Sequence, residues 1–176
     1  MQIQKNRQAL NNVIAKMLEE GKKDEDIVRI ITEQHFSLST EKADRWEDMT
    51  RHIDLYVIKN GIKYGIDVKG IKRHSRQDTR KDDSVHWIEI QNVKGKKGWI
   101  YGEAVYIAFL TNTSILYVPT SNLRRLTEEK IKGKIITNTN PNCCYIPYQR
   151  QGREDIIFKI PTEDLRKIAK HEINLT

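Results

Sequence analysis

The most constraining stretch of the sequence is residues 51–70, RHIDLYVIKNGIKYGIDVKG, where Asn60-Gly61 separates two runs that alternate apolar and polar residues. Asn-Gly is the dipeptide most typical of a two-residue type I′ turn, so the stretch is predicted to form a β-hairpin. The turn also fixes the register, because every facing pair follows from the pair that flanks it. The predicted facing pairs are Lys59–Ile62, Leu55–Ile66, Asp54–Asp67 and His52–Lys69.

Side chains alternate between the two faces of a strand, so this hairpin is predicted to have one apolar and one polar face. The apolar face holds Ile53, Leu55, Val57, Tyr64, Ile66 and Val68. The polar face holds His52, Asp54, Tyr56, Lys63, Asp67 and Lys69. Two carboxylates directly opposite each other destabilise a sheet, whereas a divalent cation between them would turn the repulsion into binding. The polar face therefore predicts a metal site with a lysine beside it.

Composition limits the class of protein. The chain has 176 residues with 38% hydrophobic and 31% charged content, which suffices for one globular domain with its own core. Its formal net charge of +7 favours polyanionic partners, nucleic acid above all. No apolar run approaches the ~18 residues of a membrane span, and no signal-peptide segment is seen, so no membrane partner is expected. The two cysteines are adjacent, a spacing that neither closes a fold nor binds zinc, which favours a cytoplasmic protein.

The segment before the hairpin is predicted to be helical. Residues 5–20 and 24–35 carry apolar residues at helical spacing and together form an N-terminal helical hairpin. We assign it to an extension at residues 1–38, ahead of a main domain at residues 39–176. Two alternatives stay open for this extension, a helix-turn-helix that reads DNA and a packing or dimerisation element.

A short acidic helix is predicted at residues 41–50, directly before the hairpin, with Ser39 or Thr40 as its cap. Three of its acids share one helical face at three- and four-residue spacing. They are Glu41, Asp44 and Asp48.

The second half of the chain is predicted to contain several strands. Residues 86–92 alternate so that Glu89 and Gln91 share one face, which we expect to be the face of Asp67 and Lys69. Further strands are predicted at residues 104–110, 114–118, 143–148 and 155–160, and helices begin at the Pro-Thr junctions within 118–126 and 160–168.

Basic residues concentrate outside the hairpin, in residues 71–86, in a glycine- and lysine-rich connection and in a later turn. The long basic segment at 71–86 is either plain surface or a flap that contacts phosphate. The candidate nucleic-acid contacts are Arg73, Arg76, Arg80, Lys94, Lys96, Lys97, Arg150 and Arg153.

Asp54, twelve intervening residues and Asp67-Val68-Lys69 resemble the D…(D/E)-x-K core of the PD-(D/E)XK nuclease superfamily. The proline of the family name is missing, because Ile53 stands at that position. Flanking residues extend the resemblance to a group of small phage and prophage proteins with this fold, over residues 40–160. They are Glu47-Asp48, Trp87-Ile88-Glu89 with Asn92, Gly98-Trp99-Ile100-Tyr101-Gly102 and Gly152-Arg153-Glu154-Asp155.

The resemblance implies an α/β (α+β) fold, with a restriction-endonuclease-like mixed β-sheet core flanked by helices and preceded by the N-terminal helical hairpin. It implies that Asp54 and Asp67 bind one or two Mg²⁺ ions, or Mn²⁺, with an acid of the preceding helix completing the metal shell. Asp48 fits this role best, Glu47 is its nearest rival and Asp44 is third. Carboxylates and waters suit these hard cations rather than zinc.

The activity implied by the resemblance is that of a Mg²⁺-dependent endonuclease that hydrolyses DNA phosphodiester bonds and leaves 5′-phosphate and 3′-hydroxyl ends. Lys69 would orient or deprotonate the attacking water, or stabilise the developing charge, and Glu89 would be an auxiliary acid. RNA is an alternative substrate, and cleavage of branched structures is a narrower hypothesis. Homodimerisation through the N-terminal helices is left open. The expected setting is the cytoplasm of a bacterial host, for a host- or phage-encoded protein.

Two other classes of function compete with the nuclease. One is a non-catalytic nucleic-acid-binding or phage-associated module that retains the fold. The other is a basic protein-interaction factor in which the hairpin acids are coincidental. Asp54, Asp67 and Lys69 argue against the binding module, because binding alone does not require that trio.

Overall fold

The computed structural model of the chain describes residues 23–72 and 82–175, which form helices packed around a mixed β-sheet. The helices are α1 (Asp24–Phe36), α2 (Arg45–Arg51), α3 (Thr120–Ile131) and α4 (Thr162–Ile168), with a short 3-10 helix at Trp99–Tyr101. The strands are β1 (Ser39–Lys42), β2 (Leu55–Lys59), β3 (Ile62–Lys69), β4 (Val85–Gln91), β5 (Tyr106–Leu110), β6 (Ser114–Pro119), β7 (Tyr148–Gln149), β8 (Ile156–Pro161) and β9 (His171–Asn174). The predicted mixed α/β class is confirmed.

The main sheet has six strands in the order β1-β2-β3-β5-β6-β9, and a separate antiparallel sheet has the order β4-β8-β7. Within the main sheet β3 and β5 are parallel, whereas the other neighbours pair antiparallel. A parallel pair needs a long crossover connection. Here the crossover contains β4 and the 3-10 helix, so the chain leaves the main sheet after Lys69 and returns at Tyr106.

The β2–β3 hairpin has the predicted turn and register. Its facing pairs run from Lys59–Ile62 to Leu55–Ile66. Asn60 and Gly61 have φ angles of 52° and 77°, and two positive φ angles in succession define the type I′ turn. The local sequence therefore determines this part of the sheet.

The predicted ladder is wrong before Leu55. Asp54 donates its backbone N–H to the Ile66 carbonyl at 2.9 Å, although Leu55 already faces Ile66. Two residues opposite one is the arrangement of a β-bulge. His52 is not a strand residue facing Lys69, because it ends α2 in a left-handed conformation with φ 54°. The pairs Asp54–Asp67 and His52–Lys69 are thus absent from the ladder.

The bulge also moves Ile53 to the other side of the sheet. Ile53 belongs to the core cluster that contains Tyr56, not to the cluster of Leu55. It packs where Gly65 leaves room, because a Cβ on Gly65 would lie 2.9 Å from Ile53 Cδ1. Placing Ile53 on the Leu55 face was therefore wrong.

Both faces of the main sheet are covered. Helix α1 packs on one face and contributes Ile27, Val28 and Ile31 to the cluster that holds Leu55 and Ile66. The other cluster joins residues of β4, β8, α3, α4 and the 3-10 helix on the opposite face. The face predicted to be polar is consequently interior, which decides the environment of Asp67.

Helix α1 confirms the predicted helix at residues 24–35, whereas the predicted helix at residues 5–20 lies outside the described residues. Burial recurs along α1 at Ile27, Val28, Ile31 and Thr32, a single helical stripe. The division into residues 1–38 and 39–176 stays a prediction, and α1 itself shares its core with the main sheet.

The helix predicted at residues 41–50 starts later than expected. Residues Ser39–Lys42 form strand β1, which pairs with β2, so Glu41 faces Tyr56 and shares no helical face with Asp48. The N-cap of α2 is Asp44, which forms a capping box with Glu47 through bonds of 2.8 and 3.1 Å. Ser39 and Thr40 are strand residues, not caps.

Candidate active site

Asp67 lies in the interior of the fold, near the end of β3. Its residue is 2% exposed, because the parallel neighbour β5 and the layers on both faces cover it. Oδ1 accepts a hydrogen bond from Lys69 Nζ at 2.5 Å. Oδ2 is buried and receives no hydrogen bond from any residue in the described ranges. One oxygen of this carboxylate is therefore available for a proton or a cation.

Asp54 approaches Asp67 from the end of β2. Its Oδ2 accepts the backbone N–H of Val68 at 2.6 Å, which ties the carboxylate to β3 next to Asp67. Burial raises the pKa of Asp67 to about 7, and the negative charge of Asp54 acts in the same direction, while Lys69 opposes both. The two aspartates thus converge although they are not a ladder pair.

Lys69 is held between Asp67 and an aromatic ring. Its Nζ lies 2.5 Å from Asp67 Oδ1 and 4.7 Å from the ring centroid of Trp99. The Lys69 side chain is 20% exposed, so one side of the ammonium is open to solvent. Trp99 belongs to the 3-10 helix and rests edge-on against Phe109 of the core. The crossover between β3 and β5 therefore positions the lysine.

The three acids considered on α2 have different surroundings. Asp44 caps the helix. Glu47 accepts the Tyr56 hydroxyl at 2.6 Å and pairs with Arg51 at 3.3 Å, and the Tyr56 hydrogen bond lowers the pKa of Glu47. Asp48 is exposed, and its carboxylate makes no hydrogen bond or salt bridge with another described residue. Asp48 is therefore the one of the three that is not engaged in holding the fold.

Sequence reasoning missed a further acid, Glu25 in the first turn of α1. Burial raises the pKa of Glu25, and the negative charges of Asp54 and Asp48 contribute. The helix is set there by Asp24, whose side chain packs so tightly against Gly70 that no Cβ would fit. The acidic first turn was visible in the sequence, but its long separation from the hairpin hid the contact.

His52 also borders the site. Burial lowers the pKa of its imidazole, and the positive charge of Lys69 acts in the same direction. Its position follows from its role as the residue that ends α2, with its N–H bonded to the Asp48 carbonyl at 3.2 Å.

Glu89 reaches the site from the other sheet. The strand predicted at residues 86–92 is confirmed as β4, but β4 belongs to the three-stranded sheet. Burial raises the pKa of Glu89, Asp155 contributes, and the charges of Lys69 and Arg150 lower it. Gln91 instead donates to the Glu154 carbonyl at 2.5 Å. The expectation that β4 extends the sheet of Asp67 was wrong, although Glu89 comes within electrostatic reach of Lys69.

The predicted nucleic-acid contacts fall into three groups. Arg73, Arg76 and Arg80 lie outside the described residues. The exposed residues are Lys94, Lys96 and Lys97 in the loop after β4, and Arg153 in the turn before β8. Arg150 is anchored by a structural partner, because its Nε donates at 2.5 Å to the carboxylate of Asp155, which is 0% exposed.

The chemistry of the donor set suits a hard divalent cation. Across residues 23–72 and 82–175, no three histidine, cysteine or acidic side chains stand close enough together to hold a metal ion by themselves. Mg²⁺ does not require such a cage, because proteins usually hold it by one or two carboxylates together with waters and substrate phosphates. Asp54 and the free oxygen of Asp67 provide those two carboxylates.

Comparison of the chain with protein-family models, with curated proteins and with solved structures finds no match. In the part of the chain that the structure describes, no helix is long and apolar enough to cross a bilayer.

Proposed function

We propose that this protein is a metal-dependent nuclease of the PD-(D/E)XK type, with a restriction-endonuclease-like core. The observation that carries the proposal is the environment of Asp67. A carboxylate this deeply buried has one oxygen on Lys69 and the other without a donor among the described residues. Asp54 stands beside it, so the arrangement is unfavourable for the fold alone. A bound cation would compensate that cost.

Asp54 and Asp67 would hold Mg²⁺ or Mn²⁺, and Asp48 or Glu25 would contribute through a bound water. Such an ion supplies a Lewis acid and lowers the pKa of a coordinated water, which generates the nucleophile at neutral pH. The acids of α1 and α2 increase the negative potential around the two aspartates and favour binding of a cation.

Lys69 would orient the attacking water and stabilise negative charge on the phosphate. Its Nζ bonds Asp67 Oδ1 on one side, and the face of Trp99 restrains the side chain on another. An ammonium fixed before the reaction stabilises developing charge without reorganisation at the moment of cleavage. Glu89 would assist from β4 by its charge on Lys69.

DNA is the proposed substrate, with RNA as the alternative, because the net charge of +7 favours a polyanion. Endonuclease action, branched substrates, a homodimer, a phage connection and the bacterial cytoplasm remain parts of this proposal that activity and sizing measurements can separate.

The test is incubation with supercoiled plasmid, branched DNA and RNA, each with Mg²⁺, Mn²⁺ or EDTA. We expect metal-dependent cleavage by the wild type, no cleavage by Asp67→Asn, and wild-type cleavage by Lys63→Ala, a matched control on the same strand whose Nζ pairs with Glu41 at 2.8 Å. Cleavage in EDTA, or by Asp67→Asn, would contradict the mechanism. Binding without cleavage of any substrate would favour the non-catalytic module.

A further inference from the structure

A concave surface lies away from the two aspartates, on the three-stranded sheet. We call it the second-sheet cleft, and it is lined by Val93, Asn138 and residues 149–154. Its volume is about 840 Å³. That volume exceeds the space needed by a single phosphate group, so the cleft can accept an extended ligand.

The walls of the second-sheet cleft are held together by the chain itself. Gln91 donates its side-chain amide to the Glu154 carbonyl at 2.5 Å, and its backbone bridges to Lys97. Asn92 closes the loop between them, with its N–H bonded to the Lys96 carbonyl at 2.8 Å. Gly95 lies so close to the Glu154 carboxylate that no Cβ would fit. The loop after β4 and the turn before β8 therefore form one preorganised unit.

Positive charge surrounds this unit. Lys94, Lys96 and Arg153 are exposed, and none of them forms a salt bridge with another residue of the described ranges. Arg150 lines the cleft with its guanidinium anchored on the buried Asp155. Among the lining residues Glu154 is the acid that opposes them. The balance of charge suits a polyanion.

The lining chemistry suits a sugar–phosphate backbone more than bases. Side-chain amides from Asn138, Gln149 and Gln151 stand beside the two arginines, and no aromatic ring is among the residues that line the cleft. Proteins that capture unpaired bases stack them on aromatic rings. Arginine, lysine and amide donors instead contact phosphate and sugar, which fixes register without reading sequence.

The cleft is also continuous with the candidate active site. Glu89 precedes Gln91 on β4, and its carboxylate is within electrostatic reach of both Lys69 and Arg150. A strand that leaves the two aspartates along β4 would therefore arrive at the cleft.

We propose that the second-sheet cleft binds the sugar–phosphate backbone of nucleic acid at a distance from the cleaved bond. It is a positioning contact that sets how the substrate lies across the two sheets. The inference rests on the proposed function only in taking nucleic acid as the partner.

The experiment measures binding without cleavage, by fluorescence anisotropy of a long labelled duplex in EDTA over a series of salt concentrations. Each lost phosphate contact lowers the slope of log affinity against log salt by about 0.9. Lys94→Gln/Arg153→Gln is therefore expected to lower the slope by about 2. The matched control is Lys59→Gln/Lys170→Gln, two exposed lysines on the main sheet side, and its slope should equal that of the wild type.

The single variants Lys94→Gln and Arg153→Gln repeat the measurement with a smaller perturbation, and each should lower the slope by about 1. An unchanged slope in the double variant overturns the inference, and Mg²⁺-dependent cleavage by that variant would show that the proposed function survives. An equal fall in the control also overturns it, because diffuse charge would then explain binding. If the wild type binds no nucleic acid, the inference fails together with its premise.

Discussion

The Asp54 carboxylate accepts the backbone N–H of Val68 at 2.6 Å, at the point where β3 runs on beyond β2. In a regular antiparallel pair a backbone carbonyl of the neighbouring strand would accept that N–H. The bulge removes the regular partner and the side chain replaces it. One carboxylate is thereby fixed against the strand that carries Asp67 and Lys69.

This relationship predicts that two substitutions of Asp54 will differ in stability but not in activity. Asp54→Asn keeps an oxygen that can accept the Val68 N–H, whereas Asp54→Ala leaves that donor without a partner. We expect Asp54→Ala to be less stable than Asp54→Asn by about 1–3 kcal/mol in urea unfolding. Both should lose metal-dependent cleavage. Equal stabilities would mean that the hydrogen bond does not hold the site together.

Lys69→Ala is expected to abolish cleavage while metal still binds. The substitution removes the ammonium beside Asp67 Oδ1 and leaves both carboxylates in place. We expect the cleavage rate to fall by about 10²–10⁴-fold, the usual contribution of a positioned proton-transfer group. Mn²⁺ binding, followed by titration calorimetry, should persist. Cleavage near the wild-type rate would remove Lys69 from the mechanism.

Asp67 predicts that the metal-free protein loses stability as the pH rises. Its folded pKa of about 7 lies above the model value of 3.8, so the unfolded chain ionises first and gains relative to the folded state between those pH values. Relative to Asp67→Asn, the wild type should lose up to about 4 kcal/mol across this window in EDTA. Mg²⁺ should raise the melting temperature of the wild type above pH 7 and leave that of Asp67→Asn unchanged. A parallel pH response of both proteins would contradict the assignment.

His86 predicts the opposite pH dependence. It is 4% exposed, its Nε2 has no hydrogen-bond partner among the described residues, and its ring packs edge-on against Phe109. Burial lowers the pKa of His86 to about 4 from 6.5, so below pH 6.5 the unfolded chain takes up a proton that the folded state refuses.

The stability associated with a neutral His86 is complete above pH 6.5 and is lost as the pH falls towards 4. Compared with His86→Phe, the wild type should lose up to about 3 kcal/mol over that window. Chemical unfolding of both proteins at several pH values measures the difference. The absence of any difference would show that the imidazole reaches solvent or a donor when it is protonated.

Part of the candidate site could be predicted because it depends on neighbours in sequence. The Asn60-Gly61 turn fixes the Leu55–Ile66 pair, and the two-residue spacing places Lys69 beside Asp67. The bulge at Asp54 could not be predicted in this way. It arises because α2 ends at Arg51 and the chain must enter β2 within three residues, a condition set by where the helix packs.

Glu25 and Glu89 show a different limit. Their types and elements were readable, an acid in the first turn of a helix and an acid on an alternating strand. Their approach to the hairpin depends on how α1 and the second sheet pack on opposite faces of the main sheet. No local pattern carries that information, so Glu25 was missed and β4 was expected in the wrong sheet.

The sequence by itself determined the hairpin, its register, the helix at α1 and the chemistry of the Asp54, Asp67 and Lys69 trio. These follow from turn geometry and from side-chain alternation over a few residues. The tertiary structure alone decided that the polar face is interior, that Asp67 keeps one oxygen without a donor in the described chain, and which acids surround it. The reason is that burial and charge coupling arise from layers brought together across long stretches of chain, and a buried carboxylate acquires its raised pKa only when those layers close over it.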